Sequence, residues 1–263
     1  MIKYTVEQEV QAEVFPEPFA RTIRILADPE RLGTRNLLLA TDEIPPRSSS
    51  NPHAHQNEEV FFFLSGSGCV RADDQEVSVE PGYCAFAPIG SSHQVSNAGD
   101  SVLRFVIAVA PPFARETFES SNRGAGRKPA ETRGERDQKM LKYIVEQQAE
   151  GDVFPEPHAR TIKPLAAPWT LGTRNIWLAT DEIQPGNSSN PHAHDDKEEV
   201  VFFLSGKGRV NIDNEEINVG SGHCVLFPVG SVHAVINDED SILRFIAVVA
   251  PPLPRTKPKT GDR

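Results

Sequence analysis

Cysteine is scarce in this sequence: Cys69, Cys84 and Cys224 are the only three among 263 residues. So odd and sparse a count excludes a disulfide framework. Long apolar runs are missing as well. The longest, around Phe105 to Pro112 and Phe245 to Pro252, fall well short of the roughly 20 residues that span a bilayer. The opening segment Met1-Ile-Lys-Tyr-Thr-Val-Glu lacks the apolar centre of a signal peptide. Positive charge is in deficit, with 27 Lys and Arg against 37 Asp and Glu, a net charge of −10. Such a surface repels phosphate backbones and argues against nucleic acid as a partner. Sustained helical periodicity is absent too. The resulting expectation is a reduced, cytoplasmic protein with no membrane and no nucleic-acid partner.

What is present is a repeat. Tyr4-x-Val-Glu-Gln returns at Tyr143, Val14-Phe-Pro-Glu-Pro at Val153, Leu32-Gly-Thr-Arg-Asn at Leu171 and Ala40-Thr-Asp-Glu-Ile at Ala179. The offset is 139 as far as His55 and His194, and 140 from Glu59 and Glu199 onward. A single-residue difference of that kind belongs in a turn, because inside a paired strand it would flip every later side chain to the other face. Each copy is long enough to bury a core. The expected domains are residues 1–112 and 140–253, joined by a polar linker at 113–139 and followed by a tail at 254–263. Short runs such as Val60-Phe-Phe-Phe-Leu and Val200-Val-Phe-Phe-Leu, each ended by Ser-Gly, read as strands. With turn signals recurring between them, the fold class is all-β, a sandwich or barrel per copy.

The histidines are not scattered. His53-Ala-His55 places two imidazoles at a spacing that shares one face of a strand. Glu59 follows, with six residues between it and Gly66; Glu199 stands identically before Gly206. That constant interval favours Glu59 and Glu199 over Glu58 and Glu198, which alternation turns to the opposite face. Downstream, Pro88-Ile-Gly90 reverses the chain before His93 and Asn97, and Pro228-Val-Gly230 does so before His233 and Asn237.

These two blocks resemble the motifs of the cupin superfamily. The second block fits without a gap in both copies. The first lacks the usual early glycine in copy one, which has Arg47-Ser-Ser-Ser-Asn-Pro where copy two keeps Gly186. The resemblance covers both repeats and implies a bicupin, two tandem double-stranded β-helix (jelly-roll) barrels. It also implies two metal sites: His53, His55, Glu59 and His93, then His192, His194, Glu199 and His233. Three imidazoles and one carboxylate suit Fe(II) or Mn(II), with Zn, Ni, Co or Cu as alternatives, one divalent ion per domain. Closed zinc sites favour cysteine, and no cysteine is placed for that.

Alternation from these ligands predicts neighbours in a substrate pocket: Asn51, Phe61, Phe63 and Asn97 in copy one, and Asn190, Val201, Phe203 and Asn237 in copy two. Val201 in place of Phe61 predicts a roomier second site. Arg35, Arg104, Arg174 and Arg244 recur in both copies and read mainly as surface ion-pairing residues. His158, His223, Trp169 and Trp177 read as structural. The expected function is a metal-dependent oxidoreductase of dioxygenase type on a small oxygen-chelating substrate, with Glu59 or Glu199 as a catalytic base, a role the resemblance implies. Isomerase, lyase, decarboxylase or aminohydrolase chemistry is the alternative, and a non-catalytic ligand-binding cupin the third reading. Two fused barrels allow a monomer with intramolecular pairing or a homo-oligomer.

Overall fold

The computed structural model describes residues 1–113 and 140–255. The expected linker beyond Phe113 and the tail from residue 256 lie outside the described residues. Two compact units are present, one of residues 5–148 and the other of residues 1–4 and 149–263. Apart from two single turns of 3-10 helix, Glu7–Glu9 and Glu146–Gln148, the described elements are strands.

The first unit contains a seven-stranded sheet. Its strands run, edge to edge, Lys142–Val145, Tyr83–Ala87, Glu58–Ser65, Leu103–Ala110, Leu38–Ile44, Arg21–Ala27 and Glu13–Phe15. A three-stranded sheet, Gln75–Val79, Gly68–Ala72 and His93–Ser96, belongs to the same unit. The second unit repeats the plan. Its seven-stranded sheet starts at the Lys3–Val6 strand and continues through His223–Phe227, Glu198–Ser205, Leu243–Ala250, Trp177–Ile183, Arg160–Ala166 and Asp152–Phe154. Its smaller sheet holds Asn187–Ser188, His233–Asn237, Lys207–Ile212 and Glu215–Gly220. This is the tandem jelly-roll arrangement. No helix among the described residues is long and apolar enough to cross a membrane.

Burial follows the sequence pattern. Phe61, Phe63, Val70, Val95, Phe105 and Ile107 meet in one core, and Val201, Phe203, Val210, Val235 and Phe245 in the other. Glu58–Ser65 is buried on both faces, which is why it reads as a continuous apolar run instead of an alternating one. Its end is set by Gly66 at φ +78, where a Cβ would meet the Val102 carbonyl oxygen at 2.5 Å. Gly206 repeats this at φ +82 against Ile242. Arg47 takes φ 64 at the place where Gly186 takes φ 72. The missing early glycine therefore leaves the turn itself unchanged, at the cost of a left-handed non-glycine residue.

The first histidine of each His-x-His pair is tied to the downstream histidine rather than to a regular strand. His53 and His93 form an isolated bridge, and so do His192 and His233. Reciprocal backbone hydrogen bonds of 2.8 and 3.1 Å close each bridge. His55 and His194 lie two residues beyond it, just before a bend. The one-residue offset between the copies falls in that bend, before the strands that begin at Glu58 and Glu198.

Candidate metal centres

In each unit four side chains converge: the first histidine from the isolated bridge, the second from the segment just beyond it, the glutamate from an inner strand of the seven-stranded sheet and the last histidine from the smaller sheet. The potential ligand atoms of His53, His55, Glu59 and His93 all lie within 4.8 Å of one another, and those of His192, His194, Glu199 and His233 do the same. Ligands about 2.1 Å from a shared ion stand at most about 4.2 Å apart, so both clusters are already close to binding size. Glu58 and Glu198 are buried but belong to neither cluster.

The donor chemistry fits a cation. Nδ1 of His53 lies 2.9 Å from the Asn51 carbonyl, and Nδ1 of His93 lies 3.1 Å from that of Ser91. His192 and His233 repeat this with Asn190 and Ser231 at 2.8 and 3.0 Å. A carbonyl only accepts, so Nδ1 carries the proton and Nε2 presents a lone pair. Nε2 of His93 is 2.9 Å from Glu59 Oε2. A lone pair facing a carboxylate at that distance repels unless a cation, a second proton or a metal ion, lies between them. In the second cluster Nε2 of His233 is buried without a hydrogen-bond partner, 3.4 Å from Glu199 Oε2. His55 differs, since its Nδ1 accepts a long 3.3 Å bond from Asn57 N–H while Nε2 donates to Glu59 at 2.7 Å. To ligate through Nε2 it must change tautomer.

Charge states support the same reading. Burial, with the His93 charge nearby, pushes the His53 imidazole down to about 3, and burial lowers His192 as well. Both stay neutral and able to ligate. Burial alone would raise the Glu59 carboxyl, but the close imidazoles of His55 and His93 outweigh it and hold it well below the usual carboxylate range. Glu199 is held low in the same way by His194 and His233.

The predicted neighbours take varied places. Phe61 approaches His93 at 6.1 Å between ring centroids, and Phe63 packs deeper, 5.1 Å from Phe105. Val201 and Phe203 lie in the second core. Asn97 and Asn237 serve turns, each donating to two backbone carbonyls: Ile44 and Ser101 for Asn97, Ile183 and Ser241 for Asn237. Asn51 and Asn190 offer their carbonyls to the ligand histidines. Arg104 and Arg244 make part-exposed ion pairs, Arg104 with Glu7 and Glu43, Arg244 with Glu182. His223 stacks on Tyr4 at 6.1 Å.

Beside the second cluster lies a cavity of about 100 Å³, with Trp177, Phe227, Ala247 and Leu253 among its walls. Arg160 and Asp181 also line it and form a buried ion pair at 3.1 Å. Arg21 and Asp42 make the same pair at 3.1 Å in the first unit. Sequence reasoning missed these residues. The signal was there, because Arg21 and Arg160, like Asp42 and Asp181, repeat at the 139 offset, the aspartates inside Ala-Thr-Asp-Glu-Ile.

A model of the cupin domain matches residues 40–109 and again residues 179–249. The chain belongs to the cupin family. Each matched stretch contains one complete His-His-Glu-His cluster, so this is a bicupin. Among characterised relatives, an oxalate-binding protein of Thermotoga maritima is 29% identical over 85 residues, 32% of this chain and 70% of that protein. The tetracenomycin polyketide synthase protein TcmJ of Streptomyces glaucescens is 28% identical over 89 residues, 34% of this chain and 60% of that protein. Among solved structures, the oxalate decarboxylase of Lactobacillus farciminis in complex with formate matches with a TM-score of 0.75. That match has 16% identity and covers 95% of this chain and 86% of the other. Bacillus subtilis oxalate decarboxylase, studied for its Mn(II) centres, matches with a TM-score of 0.71 and 17% identity over 94% of this chain and 76% of its own. Identities this low speak for the shared two-barrel fold.

Proposed function

We propose that this bicupin is a metal-dependent enzyme that cleaves a bond to a carboxyl carbon in a compact, oxygen-rich acid, and that the second unit is its working site. The observation that carries this reading is the cavity of about 100 Å³ beside His192, His194, Glu199 and His233. A cavity on the order of 150 Å³ is needed to take a benzene ring, so phenols and flavonoid-sized diols fit poorly. An acid of a few heavy atoms fits. In such a molecule the bond next to the carboxylate is the one available to break. The similarity to an oxalate-binding protein and to oxalate decarboxylases supports the same substrate size.

His192, His194, Glu199 and His233 would hold the ion, and His53, His55, Glu59 and His93 a second one. A bound divalent ion supplies Lewis acidity, and with Mn(II) or Fe(II) also one-electron chemistry. The apolar walls exclude water, which strengthens every polar contact inside. Glu199 stays ionised and suits ligation. Asp181 is the better proton holder, because burial, opposed by Arg160, raises its carboxyl to about 7. When the carboxyl group leaves as carbon dioxide, the carbon left behind needs a proton, and an acid of that strength can hold one near neutral pH.

The test is turnover by the full chain loaded with Mn(II), Fe(II) or Zn(II), offered two- to four-carbon acids, with carbon dioxide release and oxygen uptake followed together. Carbon dioxide without matching oxygen uptake is expected. Oxygen uptake in step with substrate loss would move the assignment to the dioxygenase class. Release of neither, with both sites loaded, would sink the catalytic reading and leave a binding protein.

A further inference from the structure

We infer that Arg160 and Asp181 form a recognition pole in the second-unit cavity, and that its ligand is a small acid carrying a hydroxyl or a protonated carboxyl beside an anionic oxygen. The inference deepens the reading just given and rests on it. Arg160 stands opposite Ile183 and Ile162 opposite Asp181 in the antiparallel pair. The arginine and the aspartate are therefore diagonal neighbours on one face of the sheet, within reach of each other. They touch only through Arg160 Nη1 and Asp181 Oδ2. A guanidinium and a carboxylate that serve only each other favour two parallel hydrogen bonds. Here Arg160 Nε and Asp181 Oδ1 are both buried and have no hydrogen-bond partner. Leaving a buried donor and a buried acceptor unmatched is unfavourable.

Position turns that deficit into a specificity. Both residues line the cavity that also contains the His192, His194, Glu199 and His233 cluster. The guanidinium is held against the Phe154 ring at 5.1 Å, which fixes its plane. Arg160 Nε can only donate, and above about pH 7, where the Asp181 carboxyl has given up its proton, Asp181 Oδ1 can only accept. A molecule that completes the pair presents an acceptor and a donor close together. A 2-hydroxy acid does this, and so does the singly protonated form of a two-carbon diacid. A plain monocarboxylate supplies the acceptor alone. The first unit carries the same arrangement, with Arg21 on Asp42 at 3.1 Å, Phe15 beneath the guanidinium at 5.0 Å and Asp42 Oδ1 without a hydrogen-bond partner. A fault in packing would not be expected to recur in both units.

The test is calorimetric titration of the Zn(II)-loaded full chain with glycolate, oxalate and acetate, with metal content measured alongside. Glycolate and oxalate are expected to bind more tightly than acetate. Arg160→Gln is expected to weaken glycolate by about 10–100-fold with metal content unchanged. Asp181→Asn puts an amide where the hydroxyl donor should land and is expected to bring glycolate down to the level of acetate. Arg160→Lys keeps the buried charge but loses the fork, and serves if Arg160→Gln does not fold. Wild-type glycolate affinity in a folded, fully loaded Arg160 variant would overturn the pole, while the small-acid reading would stand if the wild type still turns these acids over. A metal-loaded wild type that neither binds nor turns over any of the three acids would overturn the small-acid reading, and the pole with it.

Discussion

The two units carry the same set of four ligands, His-His-Glu-His, in the same order and surround them differently. In the first, Phe61 lies two residues along the strand from Glu59 and meets His93 at an interplanar angle of 61°. In the second, that strand position is Val201, and the ring has moved to the neighbouring strand as Phe227, directly opposite Glu199. Phe227 stacks on His233 at 4.3 Å and 14°. Its counterpart in the first unit, opposite Glu59, is Ala87. One aromatic ring has changed strands while the histidine keeps a ring beside it. The outer wall changes too. Phe113 stands edge-on to His55 at 4.8 Å, and the corresponding Leu253 borders the cavity. The first cluster is the tighter and more closed. The side chains of His55 and Glu59 are each 6% exposed, against 15% for His194 and 11% for Glu199. Ligand identity and site accessibility are thus separable: the metal chemistry fixes the first, and packing around it sets the second.

The comparison breaks most readily at the ligands. His53→Ala and His192→Ala should each lower metal content from two ions per chain to one. Turnover should fall by at least about 100-fold in the His192 variant and stay near wild type in the His53 variant. Equal losses in both, measured by elemental analysis with single-turnover assays, would mean that the first unit also works. A smaller effect sharpens the account of the moved ring. Phe61→Val should cost about 1–3 kcal/mol by leaving a void, and Ala87→Phe about 1–3 kcal/mol by overpacking. The double variant rebuilds the arrangement of the second unit and should recover roughly 1 kcal/mol relative to the sum. Denaturant midpoints decide, and strict additivity would show that the two positions do not share the space.

The smallest effect is on pH dependence. His53 is lowered to about 3 from 6.5, so the folded state binds fewer protons than the unfolded between those values. This makes stability rise as pH climbs through that window. Asp42 and Asp181 act in the opposite sense. Burial raises them to about 6 and about 7 from 3.8, so the folded state binds more protons and stability falls as pH rises from 3.8 through those values. In metal-free protein, Asp181→Asn should flatten the decline between pH 5 and 8, by more than Asp42→Asn does. Thermal midpoints at half-unit intervals check the order. An unchanged slope in both variants would contradict the burial argument.

Much of the site was legible in the sequence because its requirements are local and duplicated. The interval from Glu59 to Gly66 is readable because a left-handed turn against a backbone carbonyl tolerates only glycine. The histidines are readable because Pro-x-Gly turns set their place twice. Features that span two strands were not legible. Arg160 and Asp181 meet diagonally, and no interval along the chain marks that. Comparing Phe61 with Val201 along one strand gives no sign of Phe227, which brings a ring to the second site from the adjacent strand. Likewise, His53-Ala-His55 reads as strand alternation, yet the backbone bridge to His93 is what positions the first histidine.

The segments around Tyr4 and Tyr143 are near copies of each other, and their sequence gives no hint of which sheet each will border. The edge strand on Tyr83–Ala87 is Lys142–Val145, and residues 1–4 belong with the second unit. A fragment that stops at residue 113 would therefore leave the Tyr83–Ala87 edge bare, an open template for pairing between molecules. Dissecting this protein into its halves at the boundary between the sequence repeats would yield a sticky piece, whereas a cut after Gln148 keeps the first sheet whole.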